Sequence, residues 1–325
     1  MKIKLWVVCL WVGSSAFLFH QQAEAQEAFP SGPIRMVLGF PPGATTDSVA
    51  RLLGQKLSAQ MNTPVLVENR TGANGNIAAE FVAKSKPSGH TLLFNTMTVV
   101  LGAAAGQKTG FDVLKDFAPV SRVASSPNLI VLHPSVPADN LAQFIAWVRG
   151  EAGKLSYSSA GTGSPSHIGM ELLLLAHNLS AVHVPYKGAG PALTDVVAGH
   201  IPFTMAGQSG VIPVLKDRRV KVVGISSLRR SPLLPDVPAL AESMLGFEVV
   251  VWLGVMAPAG TPQPVIGRLN AEIGKAMQDA EMRKRLATEG ADPGTSSPEE
   301  YAAYLRGELE RWTSVFKKAG IKLDD

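Results

Sequence analysis

The sequence predicts a two-lobed α/β protein with parallel or mixed sheets and a cleft between the lobes, and three observations carry that prediction. Strand-like and helix-like segments alternate from Ile34 to Asn95, the pattern of a parallel sheet with crossover helices. The alternation restarts at Asn128. A β-rich run of ten residues, Phe247–Met256, exceeds the usual strand of about five or six and suits a strand crossing between lobes. The division expected from this is a first lobe of residues 26–127 and 251–325, with residues 128–250 inserted as the second.

Element by element, Ile34–Phe40 reads as a buried strand closed by Pro41-Pro42-Gly43, because its apolar run is short and ends in turn residues. Val49, Leu52, Leu53 and Leu57 fall at helical spacing, so a helix is expected over Asp47–Met61 with Thr46 or Asp47 as its cap. Val65–Val67 is a strand, Ile77–Ser85 a helix entered from the loop Gly72–Asn76, and Thr91–Asn95 a strand. In the second unit, strands are expected at Leu129–Leu132, Leu155–Ser158, Val182–Val184, Ile201–Met205 and Lys221–Ile225. Helices fall at Asn140–Gly150, His167–His177 and Pro191–Ala198. Three more helices close the chain, near Pro264–Gln278, Ala280–Glu289 and Pro298–Ala319. The last begins Ser297-Pro298, with proline at the first helical position.

Lys2 and Lys4, the apolar stretch Leu5–Phe19 and Ala23-Glu24-Ala25 form the pattern of a secretory signal peptide cut after Ala25. Removing Lys2, Lys4 and Glu24 takes two positive charges and one negative from the net +4 and leaves +3. The single cysteine, Cys9, leaves with that segment, so no disulfide, thiolate nucleophile or cysteine-bound metal is expected. An exported, periplasmic, soluble monomer held by its core follows. The basic excess is mild, 30 Lys and Arg against 26 Asp and Glu, without a like-charged run, so no nucleic-acid partner is expected. The remaining histidines, His90, His133, His167, His177, His183 and His200, include no pair three or four apart, so neither a metal nor a cofactor is expected.

Three strand-to-helix loops carry the candidate chemistry. Gly39–Asp47 brings backbone N–H groups and the Thr45 and Thr46 hydroxyls to a helix start. That suits an anion, though a plain Pro-Gly turn before a capped helix fits as well. Ser158–His167 is crowded with glycines and hydroxyls and reads as an anion cradle or as a hydroxyl-rich turn. A serine nucleophile, Ser164 with His167 as base, is the enzymatic alternative, but Gly-x-Ser-x-Gly and an orienting acid are both absent. In Val184–Ala192, Tyr186 is placed to close over a ligand, and Lys187 reads as a solvated loop lysine.

Taken in order, these segments resemble the periplasmic solute-binding receptors of tripartite tricarboxylate transporters, the Bug family. The matching pieces are Phe40–Asp47, Val67–Gly75, Ser159–Ser164 with His167, and Val184–Gly188. Arg230 with Pro235–Pro238, and Trp252 with Ala257–Pro262, continue the match, which spans residues 29–325. The resemblance implies a Venus-flytrap periplasmic binding protein that performs no chemistry. It implies capture of a small organic acid by its carboxylate, partly through ordered waters, and delivery to membrane transporter subunits or a sensor. It places Phe40, Gly43, Ala44, Thr45, Thr46 and Asp47 on one side of the ligand, and Ser159, Ala160, Gly161, Ser164 and His167 on the other. The family usually has Gly-Gly at Gly43-Ala44 and Asp-Gly-Tyr at Ser88-Gly89-His90. The Ala44 methyl therefore stands beside the implied water-mediated contact.

Overall fold

Strand β1 (Ile34–Leu38) is buried on both faces except at Arg35, which is why it reads as a continuous apolar run. It lies between β2 (Val65–Asn69) and β3 (Thr91–Thr96), parallel to both. Helices α1 (Thr45–Met61) and α2 (Asn76–Ala83) make the crossovers. The computed structural model describes residues 29–43, 45–151, 153–288 and 290–319. The expected signal peptide and its cut after Ala25 lie outside the described residues, as does Ala44. Helix α1 starts at Thr45, two residues ahead of the expected Asp47, so Asp47 sits inside its first turn.

The run Phe247–Met256 passes from one sheet to the other without being one continuous strand: Val249 N–H donates to the Ser226 carbonyl at 2.8 Å, and the strand begins at Val250. The strand shared by both sheets is β4 (Phe117–Leu132), sixteen residues long, of which only Leu129–Leu132 was expected. Residues 117–127 of β4 pair antiparallel with β9 (Val250–Pro258), which also pairs with β3 and so belongs wholly to the first lobe's sheet. Residues 128–132 then pair antiparallel with β7 (Phe203–Gly207) and β8 (Lys221–Ile225). Pro119 and Pro127 argue against a strand in the sequence. The register shifts of β4 at Pro119/Ser121 and Arg122/Ala124 bend it instead of ending it. Beyond β7 the second sheet continues parallel through β5 (Ser156–Ser159) to β6 (Val182–Pro185). A two-residue strand, β10 (Asp292–Pro293), pairs with β4.

Two helices escape the sequence pattern: α3 (Thr98–Ala104), which contains Gly102, and α7 (Gln208–Lys216), which contains Gly210 and Pro213. The others match the expected positions: α4 (Leu141–Gly150), α5 (Pro165–Ala176), α6 (Ala189–Val197), α8 (Gln263–Gln278), α9 (Ala280–Thr288) and α10 (Pro298–Ala319). Helix α10 opens with a capping box: Glu300 N–H donates to Ser297 Oγ at 3.1 Å and Ser297 N–H to Glu300 Oε2 at 2.8 Å. His90, at the departure from the family pattern, accepts the Ser31 N–H at 3.1 Å and stands edge-on to Phe29.

The first lobe has a core on each sheet face. One is built from β1, α1 and α8 around Leu38, Leu53 and Leu269, the other from α2, α3 and α10 around Val100, Trp252 and Trp312. Ile168 of α5 joins the second of these beside Val249, while Met170, Leu173 and Leu174 of α5 fill the core of the second lobe. This topology fixes where a ligand can sit. Thr96 pairs with Leu253 and Leu253 with Ala124, three residues short of Pro127, while Gly207 pairs with Asn128. The carboxyl ends of the parallel strands of both lobes therefore converge on the crossing, where open α/β sheets hold ligands.

Candidate functional site

The loop after β1 is shaped by a buried carboxylate. Asp47, 3% exposed, accepts at Oδ2 from Gly43 N–H (3.0 Å) and Arg51 Nε (2.9 Å), and at Oδ1 from Asn69 Nδ2 (2.8 Å). Asn69 Nδ2 also donates to the Phe40 carbonyl at 2.9 Å, and Asn69 Oδ1 accepts from Arg51 Nη2 at 2.8 Å. Burial by itself raises the Asp47 pKa. The hydrogen bonds from Arg51, Asn69 and Gly43 outweigh it and hold the carboxyl below its ordinary value. Asp47 offers no donor to an anion. It folds the turn by taking the Gly43 N–H for itself, with the half-buried Thr46 beside it in the first turn of α1. Thr45 opens the helix.

The half-buried Phe40 packs beside Gly75, whose backbone comes so close to Gly39 that a β-carbon there would lie 2.2 Å from Gly75 Cα. From this contact the loop before α2 reaches the other lobe: Asn74 Nδ2 donates to the Thr162 carbonyl at 3.3 Å. Both candidate loops thus meet the loop before α2, one through the Gly39–Gly75 approach and the other through Thr162.

The second loop folds back on itself by side chain–backbone bonds. Ser164 is the N-cap of α5, accepting the His167 N–H at 3.3 Å, and Pro165 follows at the first helical position. Ser166 Oγ accepts from Ala160 N–H at 3.0 Å and lies 3.0 Å from Ser164 Oγ. Ser159 Oγ accepts from Gly161 N–H at 3.1 Å and is 2.6 Å from His183 Nε2. Gly161 (φ 124°) and Gly163 (φ 76°) take left-handed turns that side chains disfavour. Pro165 lacks an N–H and Ser164 caps that of His167, so Ser166 N–H is the helix's uncapped donor, aimed out of its start. Tyr186 is tied to its own lobe, its hydroxyl donating to Asp195 Oδ2 at 2.5 Å.

His167 is 7% exposed and stacks on His183, ring centroids 3.9 Å apart. Its Nδ1 accepts the Gly163 N–H at 3.1 Å, which leaves any ring proton on Nε2. The ring therefore has no bond to Ser164, whose hydroxyl meets the His167 backbone. The serine-nucleophile reading has no support in this geometry. Burial, then the nearby His183, push the His167 pKa down to about 4. The folded state thus keeps a neutral ring, while an unfolded chain protonates it near 6.5. Its contribution is complete above pH 6.5 and is lost as pH falls from 6.5 to about 4, with a ceiling of about 3 kcal/mol. Urea unfolding at pH 7.5 and 4.5 is expected to show a larger acid loss in the wild type than in His167→Gln; equal losses would contradict the buried neutral ring.

Asn69, Asn74 and His183 were not singled out by sequence reasoning. Asn69 and Asn74 lie within the motif Val67–Gly75, and His183 lies on the strand before Val184, so proximity to the matched segments was the available signal. Gln208, the first residue of α7, is 1% exposed and its Oε1 has no hydrogen-bond partner, a buried polar atom near the crossing.

Comparison with known proteins accords with this architecture. A family model described as the tripartite tricarboxylate transporter family receptor matches residues 49–321. The BugT protein of Bordetella pertussis is 33% identical over 302 residues, covering 91% of this chain and 92% of BugT. A solved structure of an R. palustris protein with adipate is 31% identical with a TM-score of 0.81, covering 90% of this chain and 99% of that one. MatC from Rhodopseudomonas palustris with bound malate is 32% identical with a TM-score of 0.79, covering 88% and 99%.

Proposed function

We propose, from the premise that this chain belongs to the tripartite tricarboxylate transporter receptor family, that it captures a small carboxylate-bearing solute between its lobes and hands it to membrane transporter subunits or a sensor. The observation that supports the reading is that the loop after β1 and the loop before α5 both meet the loop before α2, one at the Gly39–Gly75 approach and the other through the hydrogen bond from Asn74 to Thr162. The relatives solved with adipate and malate supply the ligand class.

In this reading Phe40, Gly43, Ala44, Thr45 and Thr46 form one wall, and Ser159, Ala160, Gly161, Ser164 and His167 the other, with Tyr186 at the edge. Asp47 holds the first wall in shape. The lobes are residues 26–127 with 251–325, and 128–250, moving about the crossing at β4 and the start of β9. Ligand bonds made to both lobes favour the closed form, which is the form a partner recognises. The protein performs no reaction and works in the periplasm as a monomer beginning at Gln26.

Thr46→Ala and Ser164→Ala are each expected to weaken binding by roughly 1–3 kcal/mol, the cost of leaving a charged group one hydrogen bond short. That is about a tenfold to hundredfold rise in Kd, measured by calorimetry against whichever of malate and adipate the wild type binds. Unchanged affinity in both variants would remove these loops from the site.

A further inference from the structure

We propose that His183 is a positioning residue: with His167 it forms a stacked imidazole clamp that must stay neutral for the second loop to keep its binding shape. This rests on the receptor reading only in calling that loop a binding loop; the clamp itself is built from contacts within the second lobe.

His183 is held in plane from both sides. On one face lies the His167 ring, 3.9 Å away and 19° from parallel. On the other lies Tyr157, its direct partner across β5 and β6, at 5.1 Å and 25°. Tyr157 is fully buried, stacks in turn on Phe203, and donates its hydroxyl to Glu171 of α5. So fixed, the His183 ring sets Nε2 at 2.6 Å from Ser159 Oγ, and that hydroxyl contacts both the N–H and the carbonyl of Gly161. The partner ring takes the Gly163 N–H on Nδ1. The two rings therefore pin alternate residues of one loop, Ser159 with Gly161 through His183, and Gly163 through His167.

A proton on His167 Nδ1 would face the Gly163 N–H donor to donor, and that bond would have to open. Among the described residues, none offers a free negative charge to compensate a cation there. Glu171, one turn along α5, is engaged by Tyr157; on β6 the titratable neighbour is His183 itself; Tyr186 and Asp195 bind each other. A second charge at 3.9 Å would add repulsion. Burial holds both imidazoles below their ordinary pKa, consistent with a clamp that is neutral at pH 7.

The test combines binding with a residue-level titration of the purified protein. His183→Ala is expected to bind malate or adipate about tenfold more weakly at pH 7.5, one hydrogen bond's worth. His183→Gln, whose amide can still reach Ser159, should recover most of that affinity. In the ligand-free wild type, the Gly163 amide resonance should move in step with the His167 ring on acidification below pH 5, and should be flat with pH in His167→Gln. Wild-type affinity in a folded His183→Ala, or a Gly163 amide that ignores the His167 titration, would overturn the clamp. If the wild type binds neither probe, the receptor reading has failed on its own, and the Gly163 titration alone decides the clamp.

Discussion

Gly39→Ala is expected to lower stability by roughly 3 kcal/mol or more and to abolish ligand capture, an effect at or above the top of the usual overpacking range. The added methyl would stand 2.2 Å from Gly75 Cα and 3.0 Å from the Gly75 carbonyl carbon and oxygen. Those are backbone atoms, so no side-chain rotation relieves the clash. Relief requires the 72–76 loop to move off the end of β1, which withdraws Asn74 from Thr162 and disturbs the packing of Phe40 beside Gly75. Urea denaturation and calorimetry on the same sample measure both losses. A wild-type midpoint with wild-type affinity would show that the two loops do not touch.

Trp252→Ala should cost about 3–5 kcal/mol, the range for truncating a buried aromatic. Trp252 is fully buried at the start of β9, opposite Ser125 of β4, so it packs beside the crossing. It meets Tyr301 and Tyr304 edge-on at 5.9 and 5.8 Å and donates Nε1 to Glu308 Oε2 at 3.1 Å. Glu308 also accepts from Trp312 Nε1, so it keeps a partner when Trp252 is cut. The loss is thus mainly volume and aromatic contact. Trp252→Phe should recover most of it, falling short by about 1 kcal/mol for the missing hydrogen bond. A fall in urea midpoint without a change in slope is the expected signature; a loss under 1 kcal/mol in Trp252→Ala would show that the site can collapse around the deletion.

The alternating unit from β1 to β3 was legible because each element carries its own period and its own punctuation. Strand β4 was not, because Pro119, Pro127 and the serines between them argue locally against a strand, and its pairing with β9 is settled by residues more than a hundred positions away. Helix α7 was hidden by Gly210 and Pro213, and is held in place by packing on β7 and β4. Within the site, the two loops showed themselves through glycine and hydroxyl content. The role of Asp47 did not: as a helix-start residue it resembled a ligand contact, whereas its carboxylate is occupied by Asn69, 22 residues on. His183 was equally silent, since its meaning lies in Ser159, 24 residues before it.

The proposed receptor role requires a site built for a negatively charged carboxylate. Calorimetry of malate and adipate against their neutral amides, at pH 7.5, tests it most directly. At least one acid is expected to bind saturably, and at about 100 times its Kd to stabilise the fold by roughly 2.7 kcal/mol. The matching amide should bind at least about tenfold more weakly, since hydrogen bonds to a charged group are worth more than those to a neutral one. Equal affinity for an acid and its amide would contradict a site built for anions.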